Sequence, residues 1–317
     1  MAISGKEIEL IDRMLNGDRL ALARLITLME SRYNSVPAIL KRINHKLGKA
    51  YPIGITGPPG SGKSTLVNEL ILSYKKDNKQ IGVLAVDPSS PFTGGALLGD
   101  RIRMQEHALD ENVFIRSLGS RGSHGGLSKA TKEIIKLYDA FGIEYIIIET
   151  VGVGQTELDI IKLADTVIVV LVPEAGDVVQ TMKAGLMEIA DIFVVNKADR
   201  EGADRLSREI LNMVSMKPRE DEWEIPVLLT TANERLGIDD VLAEIERHKR
   251  FQIEKNILSS RREKRKEEEF SQILLEFIEQ RIQGKLKDKE ISKVLNRIKK
   301  GELDPYEGAE LVISRIL

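Results

Sequence analysis

Ile53-Gly54-Ile55-Thr56-Gly57-Pro58-Pro59-Gly60-Ser61-Gly62-Lys63-Ser64-Thr65-Leu66 is the stretch on which the reading of this chain turns. The isoleucine-rich run Ile53 to Thr56 has the length and composition of a buried strand, and Thr65 to Leu72 reads as a helix. Between them Gly57 to Ser64 fits the eight-position pattern Gly-x4-Gly-Lys-Ser/Thr of a P-loop, in the strand-loop-helix setting which that motif requires. The chemistry accounts for the spacing. Glycines let successive backbone N–H groups curl around phosphate oxygens while the following helix presents its positive end. Lys63 is then placed to reach β- and γ-phosphates, and the Ser64 hydroxyl to bind a magnesium ion. Gly57, Pro58, Pro59, Gly60, Ser61, Gly62, Lys63, Ser64 and Thr65 are the expected phosphate-side residues.

Outward from this loop, short apolar runs alternate with amphipathic stretches as far as about residue 245. The runs are Ile81–Val86, Val113–Ser117, Tyr145–Glu149, Thr166–Val172, Ile192–Val195 and Val227–Thr230. Strands so uniformly apolar want cover on both faces, which predicts a mainly parallel sheet between helical layers, an α/β P-loop NTPase fold. Residues 1–50 read as a helical N-terminal extension. Ser4 with Glu7 forms a capping-box signature, Asn16-Gly17 ends the first helix, and Asp18 caps the second. Residues 51–250 form the nucleotide-binding domain. Residues 251–317 form a helical C-terminal extension, in which Phe270, Ile273, Leu274, Phe277 and Ile278 recur at helical spacing. Asp304-Pro305 followed by Glu307 starts a last helix.

Composition removes several function classes. Among 317 residues, 47 Lys and Arg nearly balance 49 Asp and Glu, so the net charge of −2 offers no global field for nucleic acid or an anionic membrane. No cysteine is present, which rules out disulfides, zinc-thiolate sites and thiol nucleophiles. The longest apolar runs are strand-sized, far short of the roughly 20 residues of a membrane helix. The N-terminus lacks a basic-then-apolar leader, and a cytoplasmic location is expected.

Asn196-Lys197-Ala198-Asp199 follows the strand Ile192–Val195 at a strand end where a doubly wound fold binds its nucleotide. A carboxylate at Asp199 can accept from both the ring N–H and the exocyclic amine of guanine, whereas adenine has no such pair of donors on that edge. Guanine nucleotides, GTP and GDP, are therefore the expected ligands. Thr231-Ala232-Asn233, after Val227–Thr230, is similar to the loop that closes over guanine in GTPases. Tyr145-Ile-Ile-Ile-Glu149 ends in glutamate where most P-loop enzymes have aspartate, and the longer arm suggests metal contact through water.

Taken together, these motifs resemble the ArgK/MeaB-type P-loop GTPases, chaperones of adenosylcobalamin-dependent methylmalonyl-CoA mutase. The resemblance also rests on Asp87-Pro-Ser-Ser-Pro-Phe-Thr-Gly-Gly95, Gly99-Asp-Arg-Ile-Arg-Met104, Ser120-Arg-Gly-Ser-His-Gly-Gly126 and Glu149-Thr-Val-Gly-Val-Gly-Gln-Thr-Glu157. It implies that Asp87, Asp100 and Glu149 join Ser64 around magnesium, with Gly152 near the γ-phosphate. It further implies a switch segment from Glu174 to Lys183, in which Gln180 and Lys183 are candidate catalytic groups, and a homodimer built through the C-terminal helices. Val153 follows Gly152 where a Ras-like enzyme has its water-positioning glutamine, so slow intrinsic hydrolysis is expected. Three other roles compete. One is an accessory ATPase or kinase of a lysine-arginine-ornithine transport system, which Asp199 disfavours. A nickel-insertion GTPase is disfavoured by the lack of Cys and the scattered His. RNA or signal-peptide targeting would need the basic run Arg261–Lys266, which Glu267–Glu269 offsets.

Overall fold

The computed structural model describes residues 3–31, 34–87, 107, 110–119, 129–150, 159–173, 185–216, 221–285 and 289–316. They fall into two compact units, Met1–Lys255 and Asn256–Leu317.

The first unit is built on seven strands: β1 (Tyr51–Thr56), β2 (Ile81–Asp87), β3 (Val113–Gly119), β4 (Tyr145–Thr150), β5 (Thr166–Leu171), β6 (Ile192–Asn196) and β7 (Val227–Thr230). Their order is β3-β2-β4-β1-β5-β6-β7, and every pairing is parallel. Ile53 of β1 registers with Ile147 of β4 and Thr166 of β5. The chain moves to one side of β1 for β2, β3 and β4, then to the other for β5, β6 and β7. That reversal puts the switch point, where open α/β sheets bind ligands, at the carboxyl end of β1.

Strand periodicity explains the burial. Ile146 and Ile148 of β4, Val167 and Val169 of β5, and Phe193 and Val195 of β6 share one cluster with the helices on their face. Ile147, Ile168 and Val194, the intervening residues, are equally buried and face the opposite layer. A fully buried Ile or Val contributes on the order of 1.5–3 kcal/mol, so the two-sided apolar strands expected from sequence supply most of the driving force for this layer order.

Three N-terminal helices, α1 (Gly5–Leu15), α2 (Arg19–Glu30) and α3 (Val36–Ile43), place Ile11, Leu22, Leu25 and Ile39 in that first cluster. Ser4 and Glu7 close the capping box, with Glu7 N donating to Ser4 Oγ at 3.3 Å and Ser4 N to Glu7 Oε2 at 2.8 Å. Asp18 caps α2 by accepting from Leu20 N and Ala21 N. Helix α5 (Lys129–Phe141) joins the same face through Ile134 and Leu137, and α6 (Ala203–Met216) through Leu206 and Ile210. Buried on the opposite face are Leu66 and Leu70 of α4 (Lys63–Lys76) and Val241 and Ile245 of α7 (Ile238–Glu254).

The second unit comprises α8 (Ile257–Lys285), α9 (Lys289–Lys299) and α10 (Pro305–Ile316). Helices α9 and α10 pair around Ile291, Val294 and Leu303, and Asp304 caps α10 by accepting from Tyr306 N at 2.8 Å and Glu307 N at 3.2 Å. Helix α8 leaves Phe270, Leu274, Leu275 and Phe277 exposed. Among the described residues no helix is long and apolar enough to cross a membrane.

Candidate functional site

The carboxyl ends of β1, β4, β6 and β7 gather most of the residues singled out from sequence. Gly57 leaves β1 at φ +141°, and a Cβ there would lie 2.1 Å from the backbone oxygen of Val170 on β5, so only glycine lets the loop pass so close to the sheet. Gly62 caps α4 in the left-handed region at φ +87°, where a Cβ would lie 2.2 Å from Asn196 Nδ2. These two positions make the loop a tight backbone cradle ending at the N-terminus of a 14-residue helix.

Lys63 and Ser64 open that helix. The Lys63 side chain is buried and curls back over the loop, donating from Nζ to the carbonyls of Gly57 and Pro58 at 2.9 Å each. An ammonium held over the cradle rather than extended into solvent is already placed to neutralise an anion seated there. Ser64 Oγ donates to Glu149 Oε1 at 2.6 Å, which brings the two candidate metal ligands from β4 and α4 together. Both are hard oxygen donors, the chemistry that suits magnesium. Thr150, next to Glu149, donates from Oγ1 to Thr56 Oγ1 at 2.9 Å and locks the ends of β4 and β1 to each other.

Asn196, expected to serve the base with Lys197, Ala198 and Asp199, has a further role that sequence reading missed: its buried amide joins three pieces of the site. Nδ2 donates to Ser61 O in the P-loop at 2.9 Å, and Oδ1 accepts from Thr230 Oγ1 and Ala232 N at 3.1 Å each. Ala198 N donates to Thr230 O at 2.9 Å, and Lys197 sits in the left-handed region at φ +58°. Asp199 is exposed at the end of this turn. Thr231 bridges back to Leu236, Ala232 begins a short 3-10 turn, and Asn233 is exposed upon it.

Asp87 ends β2 at the same sheet edge. Asp100, Gly152, Gln180 and Lys183 lie outside the described residues. Among those described, no group of three or more His, Asp or Glu stands ready to hold a metal ion.

Comparison with known proteins decides the family. A family model described as "Methylmalonyl Co-A mutase-associated GTPase MeaB" matches residues 22–287. The chain belongs to the MeaB family. A relative from Pyrococcus abyssi, described as a "Putative GTPase", is 50% identical over 312 residues, covering 98% of this chain and 96% of its own. The GTPase ArgK of Escherichia coli is 38% identical over 243 residues, covering 74% and 73%. Among solved structures, one described as an LAO/AO transport system kinase aligns with a TM-score of 0.73 at 27% identity, covering 100% of this chain and 99% of that one. The all-parallel sheet and the membership together make this MeaB-family chain a P-loop GTPase that takes GTP and yields GDP.

Proposed function

We propose that this GTPase serves as a chaperone of an adenosylcobalamin-dependent methylmalonyl-CoA mutase, gating cofactor loading and protecting the mutase. The observation that carries this is the family match, whose description names the mutase, over 22–287. A mouse relative named methylmalonic aciduria type A homolog, 34% identical over 261 residues, supports it. In this reading Lys63 holds the β- and γ-phosphates, with the amides of Gly57 to Thr65 around them. Asp199 selects guanine, flanked by Lys197, Ala198 and the Thr231–Asn233 loop. Ser64 and Glu149, joined at 2.6 Å, hold magnesium together with Asp87 and Asp100. That ion supplies charge screening for phosphoryl transfer when bound.

Hydrolysis by the free protein is slow, and the partner speeds it by bringing Gln180 or Lys183 to the γ-phosphate. The exposed apolar stripe of α8 supports a homodimer formed through the C-terminal helices, because a stripe of that kind calls for a covering surface. The protein works in the cytoplasm. A second reading, accessory kinase of an amino-acid transport system, is favoured by the description of the solved LAO/AO structure.

One experiment separates them: GTP turnover with and without purified mutase, alongside retrieval of bound proteins from cell extract in GDP and in a non-hydrolysable GTP analogue. The chaperone reading expects stimulation of about 10² to 10³, the size of one charged contact added in a water-excluded site. No stimulation together with no mutase retrieved would defeat it.

A further inference from the structure

Behind the loop assigned to the base, Arg235 forms an ion pair that no nucleotide motif contains. Its Nε lies 2.7 Å from Glu69 Oε2. Glu69 sits on α4, the helix that begins with Lys63 and Ser64, and its carboxylate is nearly buried. The Glu69 carboxylate is itself oriented, since Asn68 Nδ2 donates to Glu69 Oε1 at 3.2 Å and Asn68 Oδ1 lies 2.8 Å from His107 Nε2. Arg235 is also held in an uncommon conformation. Its φ of +63° is left-handed, a region that L-residues with side chains rarely occupy. It closes the 3-10 turn Ala232–Glu234, and the chain then returns through Leu236 N donating to Thr231 O at 3.3 Å.

A backbone strained at one residue persists where surrounding contacts over-determine it. Here the strained residue spends its side chain on the phosphate-loop helix. We propose that Arg235 is a positioning residue for nucleotide binding: its bridge to Glu69 fixes the distance between the base loop and the helix that carries the phosphate loop. A nucleotide must satisfy both ends at once, so the rigid span sets affinity for guanine nucleotides as a class. Asn196 joins the same base loop to the phosphate loop, donating to Ser61 O and accepting from Ala232 N, so two bridges tie the base loop to the phosphate side. This rests on the assignment of Thr231–Asn233 to the base.

The test is steady-state GTP hydrolysis and GDP binding by the full chain, in the parent and in Arg235→Ala, Arg235→Lys and Glu69→Gln, with thermal melting of each. The expected result is a KM for GTP and a Kd for GDP raised about fivefold in Arg235→Ala, with kcat within about twofold, because the bridge touches no reacting atom. Arg235→Lys should recover most of the loss, and Arg235→Ala combined with Glu69→Gln should be no worse than either alone. A merely structural role would lower the melting temperature and leave KM unchanged, which would overturn the proposal. Additive effects in the double variant would also overturn it. A parent that binds ATP as tightly as GTP removes the base assignment itself. Guanine preference in the parent with an unaltered KM in Arg235→Ala removes only the role of Arg235.

Discussion

The two rims of the sheet make opposite use of polar residues. At the carboxyl rim, glycines and short side chains hold loops against the strands, and Lys63, Ser64 and Glu149 converge beside a helix N-terminus. At the amino rim, large polar side chains are sealed under α7. Tyr51 OH lies 2.7 Å from Thr166 Oγ1, which is 2.9 Å from His248 Nδ1, and Gln252 Nε2 donates to Tyr51 OH at 3.1 Å and to Asp165 O at 2.9 Å. Trp223 closes the cluster, donating from Nε1 to Asp191 O at 2.8 Å, with the Arg247 guanidinium 4.0 Å above its ring. Burial pushes the Tyr51 phenol far above its ordinary value, so it stays a neutral hydrogen-bonding group. One rim is organised around the proposed nucleotide site and the other around itself, so the same parallel sheet carries a loop cradle at one end and a packed polar seal at the other.

The comparison breaks most readily at Lys63. Lys63→Ala removes the cation placed over the cradle and should lower kcat/KM for GTP by about 10³-fold, since charge-assisted contacts to a multiply charged ligand are lost in a partly dry site. Full GTPase activity in Lys63→Ala would remove the P-loop assignment.

At the other rim the signs reverse. His248→Ala should leave Thr166 and Asp191 with fewer partners in a dry environment and cost about 2 kcal/mol of stability, the scale of an unmade buried hydrogen bond plus a small cavity. The KM for GTP should stay that of the parent. Because the chain has a single tryptophan, Trp223, whose ring lies tilted against that of His248 with centroids 4.6 Å apart, denaturation followed by its fluorescence has its probe in this rim. A changed KM with unchanged stability would mean that the two rims are coupled rather than independent.

How much of this was legible in the sequence follows from how local each signal is. All seven strands lie within two residues of their expected limits, because a continuously apolar run between turn residues has few other places to go in an α/β fold with helices on both faces. The capping residues Ser4, Asp18 and Asp304 were equally legible, each acting on amides two or three residues away. The lone Trp223 is buried, as a packing anchor is. The bridges were not legible. Asn196 reaches Ser61, Arg235 reaches Glu69, and Gln252 reaches Tyr51 across wide gaps in the chain, and no spacing rule connects such partners. A polar residue inside an apolar helix face, such as His248 or Gln252 of α7, is the one trace such a network leaves in the sequence.

The smallest expected effect sharpens the amino rim further. Asp110 precedes β3 and pairs with Lys75 near the end of α4, while accepting from Asn112 N at 2.9 Å. The Lys75 hydrogen bond, helped by that amide and the nearby charges, holds the Asp110 carboxyl below its ordinary value of 3.8 against a smaller opposing effect of burial. A depressed folded pKa contributes stability that is fully present above the ordinary value and is lost as pH falls through the folded one. The pair is partly solvated, so its contribution is a few tenths to about 1 kcal/mol. Asp110→Asn should therefore melt slightly below the parent at neutral pH, and the two melting temperatures should converge as pH falls from about 4 towards 2. GTP hydrolysis at neutral pH should be indifferent to the change. Parallel melting curves across that window would show that Lys75 and Asp110 contribute nothing to the seal, and would leave the buried network under α7 as its whole source.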